Sequence, residues 1–258
     1  MNVLVTGGTG TLGRHVVPLF RQSGHRARIL SRRPRGHVDA VQGDLKTGAG
    51  IARALQGMEV VVHLASATRS PTAARAVDVD GTRRLLTMAR DAGIKYVLYV
   101  SIVGIDRVTS YPYYRTKLAA EAVVRDNLVP WSILRATQFH SFMELTLALF
   151  SRLPAVTTIP FAWRFQPVDE REVARRVFDV AQQAPSGMLP DFGGPQVLDY
   201  RAIAQSWLAS RKSRRKLVNL PLPFKASGQV ADGGLTCPEH RDGKLTFDQY
   251  LDERYGAQ

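Results

Sequence analysis

The chain begins with an apolar strand, a glycine-rich turn and the start of a helix, in that order. Val3-Leu-Val-Thr6 precedes glycines at positions 7, 10 and 13. In this arrangement the first glycine permits a tight turn, the second lets the backbone approach a pyrophosphate, and the third lets the helix pack against the strand. Phosphate groups bind at the positive N-terminal end of such a helix. The sequence therefore predicts a dinucleotide site on a Rossmann-type sheet, formed by Gly7, Thr9, Gly10, Thr11, Leu12 and Gly13.

Strand and helix patterns alternate through the first half of the chain. We predict strands at 2–6, 26–30, 38–42, 60–65, 96–102 and 131–135, and helices at 12–23, 51–55, 71–92 and 113–127. Such alternation gives an α/β fold with a doubly wound parallel sheet and right-handed crossovers. Ligands of these sheets bind beyond the carboxyl ends of the strands.

The alternation is lost after about residue 140, where prolines separate short segments and helices are predicted at 168–183, 200–211 and 246–255. We therefore expect a Rossmann domain at residues 1–150 and a small C-terminal α/β substrate lobe at residues 151–258. The sequence leaves the position of the boundary between the two domains open, because the helix at 168–183 can also pack back on the Rossmann domain.

Composition excludes several other classes of protein. The single cysteine, Cys237, precludes an intrachain disulfide framework, and no apolar stretch approaches membrane-spanning length. We expect a cytoplasmic protein with a small-molecule substrate and no membrane partner. The net charge is +13, and the basic cluster 211–216 has no interleaved aromatic residues, which favours a solvated face over a nucleic-acid site. No residue spacing suggests a metal site.

The residues after the second strand bear on the choice of dinucleotide. Ser31, Arg32 and Arg33 stand where NAD-specific sites place an acidic residue that binds the ribose diol. A guanidinium there pairs with a 2′-phosphate instead. We therefore expect NADP(H) to be preferred, with NAD(H) left open and ordinary surface arginines as the alternative.

Two further strand ends supply candidate contacts to the adenosine. After the third strand, Asp44 can accept from the adenine amino group while Leu45 packs on the ring, although Asp44 can equally cap the next helix. At the end of the fourth strand, the small residues Ala65, Ser66 and Ala67 would let the ribose and pyrophosphate lie against the backbone.

Together these segments resemble the short-chain dehydrogenase/reductase superfamily. The likeness rests on Thr6-Gly-Gly-Thr-Gly-Thr-Leu-Gly13, Gly43-Asp-Leu45, His63-Leu-Ala65, Tyr96-Val-Leu-Tyr-Val-Ser101 and Tyr113-Tyr-Arg-Thr-Lys117. It covers residues 1–140 and continues weakly through 167–174. The atypical group that is NmrA-like or triphenylmethane-reductase-like is the most similar.

The resemblance implies hydride transfer assisted by Tyr113 and Lys117, with Tyr113 as the acid and Lys117 lowering its pKa and holding the nicotinamide ribose. Ser101 is the candidate for the family's serine, but Ile102 occupies the position where our alignment expects it. A second departure is Asp78, where extended members usually carry asparagine.

The loop after the sixth strand supplies the remaining candidates. By the same resemblance, Thr137 and Phe139 are expected beside the cofactor. His140 could act as an acid on the substrate, or it could simply be satisfied at a helix start. Phe142 could line an apolar substrate pocket, or belong to the core of the lobe.

Three functions remain open from the sequence. The first is an NAD(P)H-dependent oxidoreductase acting on a small apolar carbonyl or quinone-like substrate. The second is a non-catalytic NADP(H)-sensing regulator, and the third is a sugar-nucleotide epimerase. Either a homodimer or a monomer fits the sequence.

Overall fold

The computed structural model describes residues 1–34, 36–67 and 71–256. Its residues form two compact units, neither of which is one continuous stretch of chain. Unit 1 comprises Met1–Ser101, Pro112–Arg135 and Arg171–Pro190, and unit 2 comprises Ile102–Tyr111, Ala136–Glu170 and the chain from Asp191 onward. The sequence boundary after residue 150 thus does not coincide with an edge of either unit.

Strands and helices alternate as the sequence pattern predicts. The strands are β1 Asn2–Thr6, β2 Arg26–Ser31, β3 Ala40–Gln42, β4 Val60–His63, β5 Tyr96–Ile102, β6 Trp131–Ala136, β7 Val156–Ile159, β8 Arg164–Phe165, β9 Gly187–Met188, β10 Leu198–Asp199 and β11 Lys216–Asn219. The helices are α1 Gly13–Gln22, α2 Ile51–Leu55, α3 Pro71–Ala74, α4 Asp80–Asp91, α5 Pro112–Arg125, α6 His140–Phe150, α7 Glu170–Ala181, α8 Tyr200–Ser210, α9 Lys225–Ala231 and α10 Phe247–Tyr255.

A seven-stranded parallel sheet has the strand order β3-β2-β1-β4-β5-β6-β9. The residues of β4 are all buried, as expected for an apolar strand covered on both faces. The order reverses between β1 and β4, so the crevice beyond their carboxyl ends is the topological switch point where ligands of such sheets bind. The predicted doubly wound α/β fold is confirmed.

One long helix predicted at 71–92 is interrupted. A π-helical turn, Arg75–Val79, separates α3 from α4. A π-turn inserts one residue and changes the direction of the side chains around it. Asp78 lies in this turn and is only 1% exposed, so the interruption coincides with a buried carboxylate.

Helix α7 lies mostly in unit 1, the unit that contains the seven-stranded sheet. Its residues from Arg171 onward belong to unit 1. Phe178 packs edge-on against Phe20 of α1, with ring centroids 5.2 Å apart. The alternative that the sequence left open, in which the helix packs back on the Rossmann domain, fits these contacts.

Unit 2 contains two small sheets and four helices among its described residues. Strands β7 and β11 pair in parallel, and β8 and β10 pair antiparallel. Helices α6 and α9 were not predicted. Residues 140–150 are apolar on more than one face, since Met143 and Leu147 are buried while Leu145 and Leu149 are exposed, and this obscures the helical period.

Among the described residues, no helix is both long enough and apolar enough to cross a bilayer.

Candidate functional site

The glycine loop after β1 is tightly closed against the end of β4. Gly7 has a φ of +68°, and a Cβ built on it would lie 2.8 Å from the Ala65 backbone nitrogen. A Cβ on Gly13 would lie 2.2 Å from the Gly7 carbonyl oxygen. Gly10 closes the turn by donating its N–H to that same carbonyl at 2.9 Å. Only glycine fits at positions 7 and 13, because backbone atoms occupy the space that a side chain would need.

The open side of this loop fits a pyrophosphate. Thr9, Gly10 and Thr11 are exposed, and a Cβ on Gly10 would meet a single atom within 4 Å. Helix α1 begins just beyond with no side-chain cap and no acidic residue in its first turn. Its positive end is therefore available to an anion.

A buried histidine holds the loop and β4 together. The His63 ring lies between Thr6 Oγ1 at 2.6 Å and Thr82 Oγ1 at 2.8 Å. Thr82 donates its hydroxyl to the Asp78 carbonyl, so it accepts from His63 Nε2–H, and Thr6 then donates to Nδ1. The Thr6 oxygen accepts from the Ala65 N–H at 3.3 Å. Burial lowers the pKa of His63 to about 3, which keeps the ring neutral and this order of donors fixed.

The arginines after β2 border an open cleft of about 660 Å³. Arg32 lines this cleft together with Asp44 and Arg53, and Arg32 and Arg33 are exposed. The Ser31 hydroxyl accepts from the Arg33 N–H at 3.2 Å, so it shapes the turn. Arg53 was not singled out from the sequence, because nothing in a helix pattern reveals that α2 ends beside the β2 turn.

The two residues expected to contact the adenine, Asp44 and Leu45, differ in how deeply they are buried. The Asp44 carboxylate accepts from the Lys46 N–H at 2.8 Å and is half-buried in the cleft. Leu45 is only 6% exposed and belongs to the main hydrophobic core. Little of the Leu45 side chain is therefore exposed to a ligand, and its packing on the adenine ring stays a prediction.

The carboxyl end of the sheet brings three polar side chains into a chain of hydrogen bonds. Ser66 Oγ lies 2.8 Å from the Tyr113 hydroxyl and donates to Asp78 Oδ2 at 2.6 Å. Asp78 Oδ1 accepts from the Ala67 N–H at 2.8 Å. The buried carboxylate thus orders the segment after β4, and Ser66 contacts Tyr113. The sequence indicated Asp78 only as a departure from the family pattern.

Lys117 lies one turn after Tyr113 on α5 and is 3% exposed. Its Nζ donates to the Tyr99 hydroxyl at 2.5 Å and to the Val100 carbonyl at 3.3 Å, above the Tyr99 ring. Burial lowers the pKa of Lys117 to about 8, while Asp78 and Glu121 oppose that shift. The ammonium is thus a desolvated charge at the end of β5.

The structure does not bring Ser101 to this cluster by a hydrogen bond. Ser101 is 3% exposed, and its hydroxyl has no partner among the described residues. Ile102 is half-exposed, as strand alternation requires. Ser66, predicted only as a cofactor contact, is the serine whose hydroxyl contacts Tyr113.

Four predicted residues lie in unit 2. Thr137 is 3% exposed and its hydroxyl accepts from the Gly194 N–H at 3.2 Å, while Phe139 is half-buried at the start of α6. His140 is fully buried, bonds the Leu245 carbonyl through Nε2 at 3.1 Å and packs on two aromatic rings. These contacts favour the structural alternative for His140. Phe142 is 45% exposed, so it is not part of the lobe core.

No group of three or more potential His, Cys, Asp or Glu metal ligands occurs in the described ranges.

Comparison with protein families gives one match over more than half of the chain. A family described as NAD(P)H-binding matches residues 7–146. This range contains the glycine loop, the arginines after β2 and the Tyr113–Lys117 pair.

Two relatives are named as reductases. Ceramide reductase of Caulobacter vibrioides is 36% identical over 251 aligned residues, covering 89% of this chain and 77% of that protein. The (4-alkanoyl-5-oxo-2,5-dihydrofuran-3-yl)methyl phosphate reductase of Streptomyces griseus is 30% identical over 182 aligned residues, covering 67% of this chain and 60% of that protein. The chain thus spans less than two thirds of the second relative's length.

Solved structures share the fold. A short-chain dehydrogenase/reductase superfamily protein from Agrobacterium tumefaciens, solved with bound NAD, superposes with a TM-score of 0.77 at 22% identity, over 100% of this chain and 97% of that one. UDP-glucose 4-epimerase from Thermotoga maritima gives a TM-score of 0.77 at 17% identity, with both chains fully covered. At these identities the likeness shows the fold alone.

Proposed function

The chain belongs to the NAD(P)H-binding family within the short-chain dehydrogenase/reductase superfamily and is an NAD(P)-dependent oxidoreductase. From this premise we propose that it is an NADPH-dependent carbonyl reductase that acts on an apolar, lipid-like substrate. The observation that carries the proposal is the Tyr113 hydroxyl, held by Ser66 one helical turn from the buried ammonium of Lys117. A phenol can protonate a carbonyl oxygen when a nearby cation stabilises the phenolate.

In this reaction NADPH, when bound, supplies the hydride that adds to the carbonyl carbon. Tyr113 donates its proton to the carbonyl oxygen as charge develops there. Lys117 stabilises the resulting phenolate, because its charge is desolvated and therefore acts more strongly than in water. Ser66 accepts the Tyr113 hydrogen bond in the resting state and so holds the phenol at the carboxyl end of the sheet.

We attribute the proposed preference for NADPH to the arginines that line or adjoin the cleft beyond β2. Arg32 and Arg53 line that cleft and Arg33 is exposed next to it. Guanidinium groups bind phosphate oxygens in a bidentate manner. Thr137 and Phe139 remain proposed neighbours of the nicotinamide, and Phe142 remains a proposed substrate contact.

We infer the substrate class from the name of one relative. A relative that is 36% identical over most of both chains is named a ceramide reductase, and ceramide is a long-chain lipid amide. The substrate we propose is accordingly a ketone on a long apolar chain, rather than a sugar nucleotide.

The first test compares the thermal shifts produced by NADPH, NADP, NADH and NAD, since a ligand of the native state stabilises it by RT ln(1 + [L]/Kd). Loss of NADPH absorbance is then followed in single turnover with a long-chain keto amide, a long-chain ketone and a quinone. We expect the Tyr113→Phe variant to lose about 10²–10⁴-fold in rate while keeping its NADPH shift. The matched control is Tyr114→Phe, which should retain the rate.

A non-catalytic NADPH sensor is the second candidate. It is favoured by the buried hydroxyl of Ser101, for which the described parts of the chain provide no hydrogen-bond partner. It would replace the reductase proposal if wild-type protein binds NADPH tightly but oxidises it with no member of the panel. NAD that copurifies with the protein would instead support the epimerase.

A further inference from the structure

The outer face of α6 in unit 2 exposes a stripe of large apolar side chains. Phe142, Leu145 and Leu149 are 45%, 57% and 47% exposed, and Leu153, just beyond the helix, is 57% exposed. Spacings of three and four residues place the three helical positions on one side of α6. We call these four residues the apolar stripe.

The opposite face of α6 is fully engaged within unit 2. Met143 and Leu147 are fully buried. Glu144, the one acidic residue of this helix, accepts hydrogen bonds from the Trp207 indole and the Tyr250 and Tyr255 hydroxyls. The helix is thus anchored by its inner face, and its outer face carries no acidic residue.

The basic cluster 211–216 adjoins the stripe. Arg215 donates to the Leu153 carbonyl at 2.6 Å and to the Val156 carbonyl at 3.0 Å. Lys216 stands opposite Val156 in the β7–β11 pair. Arg152, Arg214 and Lys216 are exposed, and none of them forms an ion pair with a carboxylate in the described part of the chain.

The sequence around this surface is segregated by charge. Residues 145–168 and 200–231 together contain nine Lys and Arg and no Asp or Glu. Residues 121–258 as a whole carry 17 Lys and Arg against 15 Asp and Glu, and this near balance conceals the segregation because the acidic residues lie outside the two segments. The stripe is therefore flanked by positive charge.

We propose that the apolar stripe and the basic cluster form a docking surface for an anionic lipid bilayer. Apolar side chains on one face of a helix enter the boundary between headgroups and acyl chains, and adjacent Lys and Arg bind the anionic headgroups. This surface peripherally anchors the protein without a spanning segment. The proposal does not depend on the reductase activity, since it uses none of the residues placed at the cofactor site. Phe142 is shared with the proposed substrate contacts, and the variants that test the surface therefore leave it unchanged.

Charge and composition disfavour two other occupants. A second copy docked across a two-fold axis on this face would bring two basic clusters into one interface, where they repel. A nucleic acid would not bury the four large apolar side chains, since the stripe offers only one aromatic ring on which a base can stack.

The test measures co-sedimentation of the full chain with vesicles of phosphatidylcholine alone and of an equal mixture of phosphatidylcholine and phosphatidylglycerol. One variant, Leu145→Glu/Leu149→Glu, alters the stripe, and another, Arg214→Glu/Lys216→Glu, alters the cluster. The matched control, Leu128→Glu/Arg125→Glu, changes an 80%-exposed leucine and an exposed arginine in unit 1. Circular dichroism confirms that each variant is folded.

We expect wild type and control to bind the anionic vesicles, to bind neutral vesicles weakly, and to lose binding as salt is added. Each test variant should lose at least about tenfold in partitioning. The proposal is overturned if wild type does not bind anionic vesicles, or if the control loses as much as the variants. It is also overturned if light scattering shows a dimer that the stripe variant abolishes while vesicle binding is unchanged. Binding of duplex DNA through the basic cluster, without binding of vesicles, would overturn it as well.

Discussion

The Ser66 hydroxyl oxygen lies 2.8 Å from the Tyr113 hydroxyl oxygen, and its proton is committed to Asp78. An ionised carboxylate can only accept hydrogen bonds, so Ser66 must donate to Asp78 and accept from Tyr113. The buried carboxylate therefore fixes which way the Tyr113 proton points. A serine that follows β4 thus contacts the phenol, and the serine at the end of β5 does not.

Replacing Asp78 by asparagine should move the alkaline limb of the reduction rate to lower pH. Lys117, whose pKa is about 8, loses its charge as the pH rises through that value, so the rate should fall there. Asp78 raises the pKa of Lys117, and its removal lowers it. An asparagine amide would also donate to Ser66, which could then donate to Tyr113 and favour the phenolate. We expect a shift of order one pH unit, measured from kcat/KM.

The control for this change is Asp80→Asn, which removes a half-exposed carboxylate paired with Arg83 on the next turn. An unchanged limb in Asp78→Asn, or an equal shift in Asp80→Asn, would contradict the role assigned to the Asp78–Ser66 contact.

Gly10→Ala should separate folding from nucleotide binding. A Cβ at Gly10 would meet only the Gly7 carbonyl oxygen, at 3.2 Å, and the residue does not require a positive φ. The unliganded protein should therefore melt within a few degrees of wild type, while the added methyl group occupies the space of the pyrophosphate. We expect NADPH affinity to fall at least about tenfold, measured by calorimetry.

Gly228→Ala is the matched control, because a Cβ there meets nothing within 4 Å. If Gly10→Ala binds NADPH as wild type does, the loop is not the pyrophosphate site.

Arg32→Ser should weaken NADPH binding much more than NADH binding. Loss of a charge-assisted contact to the 2′-phosphate costs about 1.5–3 kcal/mol, or roughly 10–100-fold in Kd. NADH lacks that phosphate, so its Kd should change little. Arg90→Ser, which removes an exposed arginine of α4 paired with Asp91, is expected to leave both Kd values unchanged. Equal losses for the two cofactors in Arg32→Ser would refute the assignment.

His63 should make the fold sensitive to mild acid. Its pKa is about 3 in the folded protein against 6.5 for the ordinary group, chiefly because of burial. Between these values the unfolded chain binds the extra proton, so stability is present above about pH 6.5 and is lost as the pH falls. From about pH 7 to pH 5 the free energy of unfolding should drop by about 2 kcal/mol on this account.

Urea titrations at the two pH values would measure that drop. His63→Gln should be less stable at neutral pH and should lack this part of the pH dependence, whereas a change at the exposed His37 should retain it. The same pH dependence in His63→Gln as in wild type would assign the effect to other groups.

The sequence by itself determined the parallel sheet and the glycine loop, because both depend on patterns of residues that are close together in the chain. Apolar β-branched runs such as 60–62 form buried strands, and a glycine at position 7 or 13 is needed wherever backbone approaches backbone. The Tyr113–Lys117 pair came from the family resemblance instead, since a tyrosine and a lysine four residues apart also occur in an ordinary amphipathic helix. The sequence predicted neither the course of α6 nor the π-turn at Asp78, because neither leaves a distinctive period.

Only the tertiary structure decided which side chains meet. Ser66 and Tyr113 are 47 residues apart, and Asp78, which accepts from Ser66, lies in a π-helical turn. The sequence predicts Leu45 at the adenine from its position after β3, and only the structure shows that this side chain belongs to the main hydrophobic core. Likewise, the charges of Arg152 and Lys216 average out along the chain, and only the β7–β11 pairing brings them beside one apolar surface. Contacts of this kind depend on the geometry of distant segments, which no local pattern encodes.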